Sequence, residues 1–174
     1  MTPVLYLDID DTLLSWATGR PHAARDTRAF LLWALPRFEI RWLTRWCPSG
    51  DLSDELIRDL SRLTHVDSAL LRPIRACTWA ESQAKVDGIS WLEHVVLGRR
   101  FYWVENPEGL TQRDFEVLDQ SGFRDSYLPC NITRDEAALT RVWRMLRQRT
   151  SAPVPGGAGS RLVCRRSAEV DARL

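Results

Sequence analysis

Asp8 and Asp10 stand two residues apart at the end of a short apolar run. At roughly 4 Å and an effective dielectric of about 20, two carboxylates repel by about 4 kcal/mol. A fold keeps such a pair when a cation or a proton compensates. Hard oxygen ligands without His or Cys suit Mg²⁺, which takes one or two carboxylates together with waters and substrate phosphate. That ion would also neutralise a phosphate approaching Asp8. Three further groups belong to the same set. Thr44 ends a second apolar segment, Glu105 and Asn106 end another, and Lys85 precedes a helix-like stretch. Lys85 is conspicuous because, of 24 Lys and Arg residues, it alone is lysine. A compact ammonium fits between crowded carboxylates better than a planar guanidinium does.

These residues lie far apart in sequence, so a fold must collect them. Val4 to Leu7 reads as a buried parallel strand. Phe38 to Leu43 and Phe101 to Val104 read as further strands, with short ones near Leu70 to Cys77 and Tyr127 to Cys130; Pro73 weakens the former. Helical spacing is predicted for Ala23 to Leu35, Ser53 to Leu63, Gly88 to Leu97, Thr111 to Gln120 and Arg134 to Arg147. Ser53 or Asp51 caps the second of these and Thr111 the fourth. Strands alternating with helices indicate an α/β fold of three layers, Rossmann-like, with helices on both faces of a parallel sheet. In such sheets ligands bind beyond the carboxyl ends of the strands, and that is where Asp8, Asp10, Thr44, Glu105 and Asn106 fall.

The segment Leu5-Tyr6-Leu7-Asp8-Ile9-Asp10-Asp11-Thr12 resembles the first motif of the haloacid dehalogenase (HAD) superfamily of phosphohydrolases, a hydrophobic strand followed by Asp-x-Asp-x-Thr. Trp42-Leu43-Thr44, Lys85 and Phe101-Tyr102-Trp103-Val104-Glu105 come in the order of its remaining motifs. The resemblance spans Val4 to Leu146. It implies that Asp8 attacks phosphorus to give an aspartyl-phosphate. Asp10 then acts as general acid and base, Thr44 binds the transferring phosphoryl group and Lys85 offsets negative charge. Asp8, the backbone carbonyl of Asp10, Glu105 and Asn106 would hold Mg²⁺. Asn106 departs from the pattern, since many relatives place a second acid there. The Trp-Leu-Thr-Arg-Trp and Trp-Val-Glu-Asn segments also look like the small HAD domain of bacterial RNA-repair proteins. The intervals after Thr12 and Thr44 hold no large cap domain, which implies an open site and a bulky phosphorylated substrate such as an RNA or DNA end. Two other functions fit some of the residues. One is a phosphoacceptor of the signalling-receiver type without turnover, whose acceptor would come after the third strand. The other is a degenerate module that binds metal or polynucleotide.

The remaining features set bounds. The 174 residues suit one domain, expected over 1–149, with a mobile tail over 150–174 rich in Pro and Gly. A net charge of +1 makes the whole molecule no general trap for polyanions. No apolar run approaches the roughly 20 residues that span a bilayer, and no secretory leader is visible, so no membrane partner and a cytoplasmic location are expected. Cys47, Cys77, Cys130 and Cys164 are scattered and read as free thiols. The three histidines are not spaced as metal ligands. The tryptophans read mainly as core, Trp16 and Trp46 among them, although these two come just after motif segments and could stack on a base or sugar. Arg141, Arg144 and Arg147 line one face of the last helix, either as a solvated face or as a stripe for nucleic-acid phosphates.

Overall fold

The computed structural model describes residues 1–80 and 84–151. The tail from 152 onward, with Cys164, lies outside them. The chain builds a sheet from β1 (Val4–Leu7), β4 (Glu39–Trp42), β5 (Arg75–Ala76), β6 (Phe101–Glu105) and β7 (Tyr127–Pro129), all parallel and ordered β5-β4-β1-β6-β7. Counted along the chain, that order is 3-2-1-4-5, the arrangement of Rossmann-type sheets rather than the 2-1-3-4-5 of flavodoxin-like ones. A hairpin of two-residue strands, β2 (Leu14–Ser15) and β3 (His22–Ala23), stands apart from it.

Alternation along the strands divides the core in two. Leu5 and Leu7 point to one face with Ile40, Trp42, Tyr102 and Val104. There they meet α1 (Thr27–Ala34), α2 (Asp54–Thr64) and α5 (Ala138–Ser151) through Phe30, Leu31, Leu60, Leu139, Val142 and Leu146. Val4 and Tyr6 point to the other face with Phe101 and Trp103, against Val86, Ile89 and Leu118 of α4 (Gln112–Gln120). A strand buried on both faces has no polar side to alternate with, which is why β1 and β6 read as unbroken apolar runs. The short α3 (Ser68–Leu71) leads into β5.

Local chemistry sets the helix starts. Ser53 accepts from the Leu56 amide and so caps α2. Thr111 and Asp114 form a reciprocal capping box on α4. Three expected boundaries move. The helix expected from Ala23 starts at Thr27, because His22 and Ala23 pair with Ser15 and Leu14. The helix expected from Arg134 starts at Ala138, because Asn131 and Asp135 side chains take the Arg134 and Ala137 amides in turns. The helix expected over Gly88 to Leu97 is replaced by a 3-10 turn, Lys85–Gly88, and a π-helical turn, Leu92–Val96. The Tyr6 hydroxyl takes the Ser90 amide between them (3.0 Å), and Leu92, Val95, Val96 and Leu97 remain exposed. Among the described residues no helix is long and apolar enough to cross a membrane.

A charged cluster ties the lower half of the sheet together. Arg41 pairs with Glu39 (2.6 Å) and Glu93 (2.8 Å), and Arg99 pairs with the same two acids. The Arg41 and Arg99 hydrogen bonds, working against partial burial, hold Glu93 down at about 2. Beside it, the Tyr6 hydroxyl lies 2.9 Å from His94 Nε2, while His94 Nδ1 lies 2.7 Å from the Arg99 carbonyl. The carbonyl can only accept, so Nδ1 carries the proton and Nε2 accepts from Tyr6. His94 is thus a structural residue, as its spacing suggested.

Candidate active site

Asp8 is the first residue past β1, the central strand, and Glu105 is the last residue of its neighbour β6. The register pairs Leu7 with Val104, and the Asp8 amide donates to the Val104 carbonyl (3.1 Å), so the two acids emerge side by side. The sheet order reverses between β1 and β6. This is the crevice where open α/β sheets bind ligands.

Lys85 closes the gap. Its Nζ donates to Asp8 Oδ1 at 2.7 Å and lies 2.6 Å from Glu105 Oε2. All three side chains are sealed from solvent, with side-chain exposures of 3% for Lys85, 5% for Asp8 and 1% for Glu105. Burial disfavours the ammonium, but Asp8 and Glu105 outweigh it and hold the Lys85 pKa above its ordinary value. Glu105 is pushed well above the usual carboxylate range by burial and then by the Asp8 charge, with Lys85 opposing. One ammonium therefore serves two carboxylates, and Glu105 is pushed toward its protonated, neutral form.

The lysine is held from below by an acid that sequence spacing did not single out. Asp114 is fully buried; its Oδ1 accepts from the Val86 amide (2.7 Å) and its Oδ2 from the Thr111 amide and hydroxyl (both 2.7 Å). One side chain thus caps α4 and fixes the turn that begins with Lys85. The pattern Thr111-x-x-Asp114 carried the helix-start signal but nothing that announced the bond to Val86.

Thr12 donates to Asp8 Oδ2 (3.2 Å), so each oxygen of the carboxylate is oriented. Thr44, just past β4, is buried and accepts from the Trp46 amide at 3.5 Å. Asp10 turns its carboxylate to two indoles: Trp16 Nε1 donates to Oδ1 (2.8 Å) and Trp46 Nε1 to Oδ2 (2.7 Å). Burial raises the Asp10 pKa, and the two indole bonds pull against it. The expectation that Trp16 packs in the core is corrected, since 43% of it is exposed and its ring nitrogen serves Asp10. The remaining expected site residue, Asn106, is engaged elsewhere. Its Oδ1 accepts from the Glu108 amide (3.1 Å) and from Asn131 Nδ2 (2.9 Å), so both lone pairs are spent on the loops after β6 and β7 rather than offered to a cation.

Among the described residues no group of three or more His, Cys, Asp or Glu side chains gathers as a metal site. Mg²⁺ needs fewer, because carbonyls, waters and phosphate complete its octahedron. The donors suited to it are the two adjacent carboxylates of Asp8 and Glu105. Glu105 Oε2 is buried and, among the described residues, lacks an aligned hydrogen-bond donor despite its nearness to Lys85. The loop after β1 closes through Asp11 N to Leu14 O and Leu13 N and Leu14 N to Ile9 O, and among the described residues no backbone amide bonds the Asp10 carbonyl. Charge and donor type fit a divalent cation beside Asp8.

Cys47, Cys77 and Cys130 are buried free thiols. Arg141, Arg144 and Arg147 are exposed on α5, and Arg141 pairs with Asp135. No family model, curated protein or solved structure matches the chain.

Proposed function

We propose that the chain is a Mg²⁺-dependent phosphohydrolase of the haloacid dehalogenase type, acting through an aspartyl-phosphate on Asp8. The observation that carries this reading is the Lys85 ammonium bridging Asp8 and Glu105 where the central strands end. A lysine buried between two acids is costly as a mere structural device, because hydrophobic replacements of buried ion clusters are often neutral or stabilising. It makes sense where a phosphoryl group must be drawn to a carboxylate.

In this reading Asp8 Oδ2 attacks phosphorus while Lys85 restrains the other oxygen and offsets the incoming charge. The bond from phosphorus to the leaving oxygen breaks, and that oxygen takes a proton from Asp10. Water then attacks phosphorus and returns a proton to Asp10, which releases phosphate and frees Asp8. Thr44 would hydrogen-bond a phosphoryl oxygen. Mg²⁺ would be held by Asp8, Glu105 and the Asp10 carbonyl and would supply positive charge opposite the phosphoryl oxygens. Asn106 supports the loop beneath it.

The depth of Asp8 favours a terminal phosphate over one flanked on both sides. The segments after β1 and β4 carry only the β2–β3 hairpin and a loop leading to α2, in keeping with a capless enzyme that takes a bulky phosphoester such as a nucleic-acid end. The sheet order also counts against the receiver alternative, which belongs to the 2-1-3-4-5 class.

The test is a phosphatase screen with and without Mg²⁺, on phosphorylated RNA and DNA ends and a generic aryl phosphate, with Asp8→Asn alongside. Mg²⁺-dependent phosphate release that Asp8→Asn abolishes is expected. Equal activity in that variant ends the nucleophile assignment, and a nucleic-acid end cleaved no faster than the aryl phosphate ends the substrate assignment. A stable phosphoprotein without turnover points to a phosphoacceptor, and binding without hydrolysis to a degenerate module.

A further inference from the structure

We infer that Trp16 and Trp46 are positioning residues: their two indole N–H groups clamp the Asp10 carboxylate at the angle from which it passes a proton to the leaving oxygen. The inference rests on the phosphohydrolase reading and adds to it two residues to which none of the motifs gives a role.

The geometry is specific. Trp16 comes directly after β2 and Trp46 lies two residues past Thr44, so the donors come from separate loops. They converge on opposite oxygens of one carboxylate at 2.8 and 2.7 Å, with ring centroids 6.4 Å apart and planes tilted by 53°. A single donor leaves a carboxylate free to swing about its Cβ–Cγ bond; two donors on different oxygens remove that rotation. Bonds to an ionised acceptor are roughly twice as strong as neutral ones. Each oxygen still has a second lone pair, so a proton can be held or received while both indoles stay in place.

Burial alone does not explain the arrangement. Trp16 leaves 43% of its surface in solvent, where an indole N–H would otherwise bond to water. The Trp46 amide also reaches Thr44 Oγ1 (3.5 Å), so the loop that holds one oxygen of Asp10 also carries the phosphoryl-binding hydroxyl. Proton donor and phosphate contact are thereby placed in one frame. A 1 Å misplacement in such a frame can cost about 100-fold in rate.

Phenylalanine keeps the ring and removes the N–H, so Trp16→Phe and Trp46→Phe are the variants to compare, the exposed Trp16 being the safer for folding. The readout is kcat/KM, which reports the step that breaks the leaving-group bond, on two substrates. An alkyl phosphate needs its leaving oxygen protonated, whereas p-nitrophenyl phosphate expels a stable phenolate without help. The expected result is a fall of about 10- to 100-fold on the alkyl phosphate and no more than about 3-fold on the nitrophenyl ester, a smaller copy of the Asp10→Asn pattern. An equal fall on both substrates, or no fall on either, overturns the positioning role. Wild-type protein inert toward both and toward phosphorylated RNA and DNA ends overturns the phosphohydrolase reading and the proton role with it. The clamp is then judged separately by the indole N–H signals of a ¹⁵N-labelled sample. Asp10→Ala should move both Trp16 and Trp46 signals and speed their exchange with solvent; unchanged signals show that no clamp exists.

Discussion

Replacing Lys85 with methionine removes the ammonium while keeping most of the stem, and its effects separate stability from chemistry. The ammonium lies 2.7 Å from Asp8 and 2.6 Å from Glu105. At an effective dielectric of about 20, each contact is worth roughly 6 kcal/mol of gross attraction, most of it cancelled by the cost of taking three charges out of water. What decides the outcome is the state left behind, in which two buried carboxylates face each other with no counter-charge. Breaking a buried pair from one side typically costs about 3–5 kcal/mol. For a domain of this size that corresponds to a fall in Tm of roughly 10 °C or more. Urea and thermal unfolding of Lys85→Met in metal-free buffer should show this loss. The double variant Lys85→Met with Glu105→Gln removes the repulsion as well and should recover about 2 kcal/mol, while phosphate release stays abolished in both. A single variant within about 1 kcal/mol of wild type, or a double variant no more stable than the single, would refute the bridging role.

Asp114→Ala removes a helix cap and strands the buried Val86 amide, so it should lower unfolding free energy by about 2–4 kcal/mol. Because the next residue toward the N-terminus is Lys85, kcat should fall by at least about 10-fold at a temperature where the variant is still folded. For Glu93 the sign comes from its lowered pKa: its stabilisation is complete above the ordinary pKa of 4.5 and is lost as pH falls toward about 2. With its partial exposure allowed for, the contribution is about 1–2 kcal/mol, so Glu93→Gln should lower stability by that amount at pH 7 and converge on wild type near pH 2 in urea titrations.

The central strands were legible because their physics is local. Val4 to Leu7 and Phe101 to Glu105 are apolar almost throughout, as strands covered on both faces must be. Ser53 and Thr111 announced their helices through side-chain caps. The acids at the strand ends could be found from the residues at the carboxyl end of each apolar run, and Lys85 by its isolation among arginines. The hidden features depend on distant partners. Strands of two residues have no alternation to read, so the β2–β3 hairpin left no signal. Val86, Ile89 and the residues to Leu97 have helix-like spacing, but Asp114 and the Tyr6 hydroxyl take backbone amides in this segment and impose turns. The indole bonds to Asp10 span 6 and 36 residues, and the second pairing of Asp114 spans 28. Polar contacts of that reach have no periodicity.

Asp8 and Glu105 stand at the same level on neighbouring strands, so their separation is inherited from the spacing of strands, about 4.8 Å in any sheet. Exchanging core side chains cannot stretch that interval, and neither can rebuilding the peripheral loops. Such a design lets the outer rim drift toward new molecules over evolutionary time while the pair of acids at its centre stays at a fixed gauge.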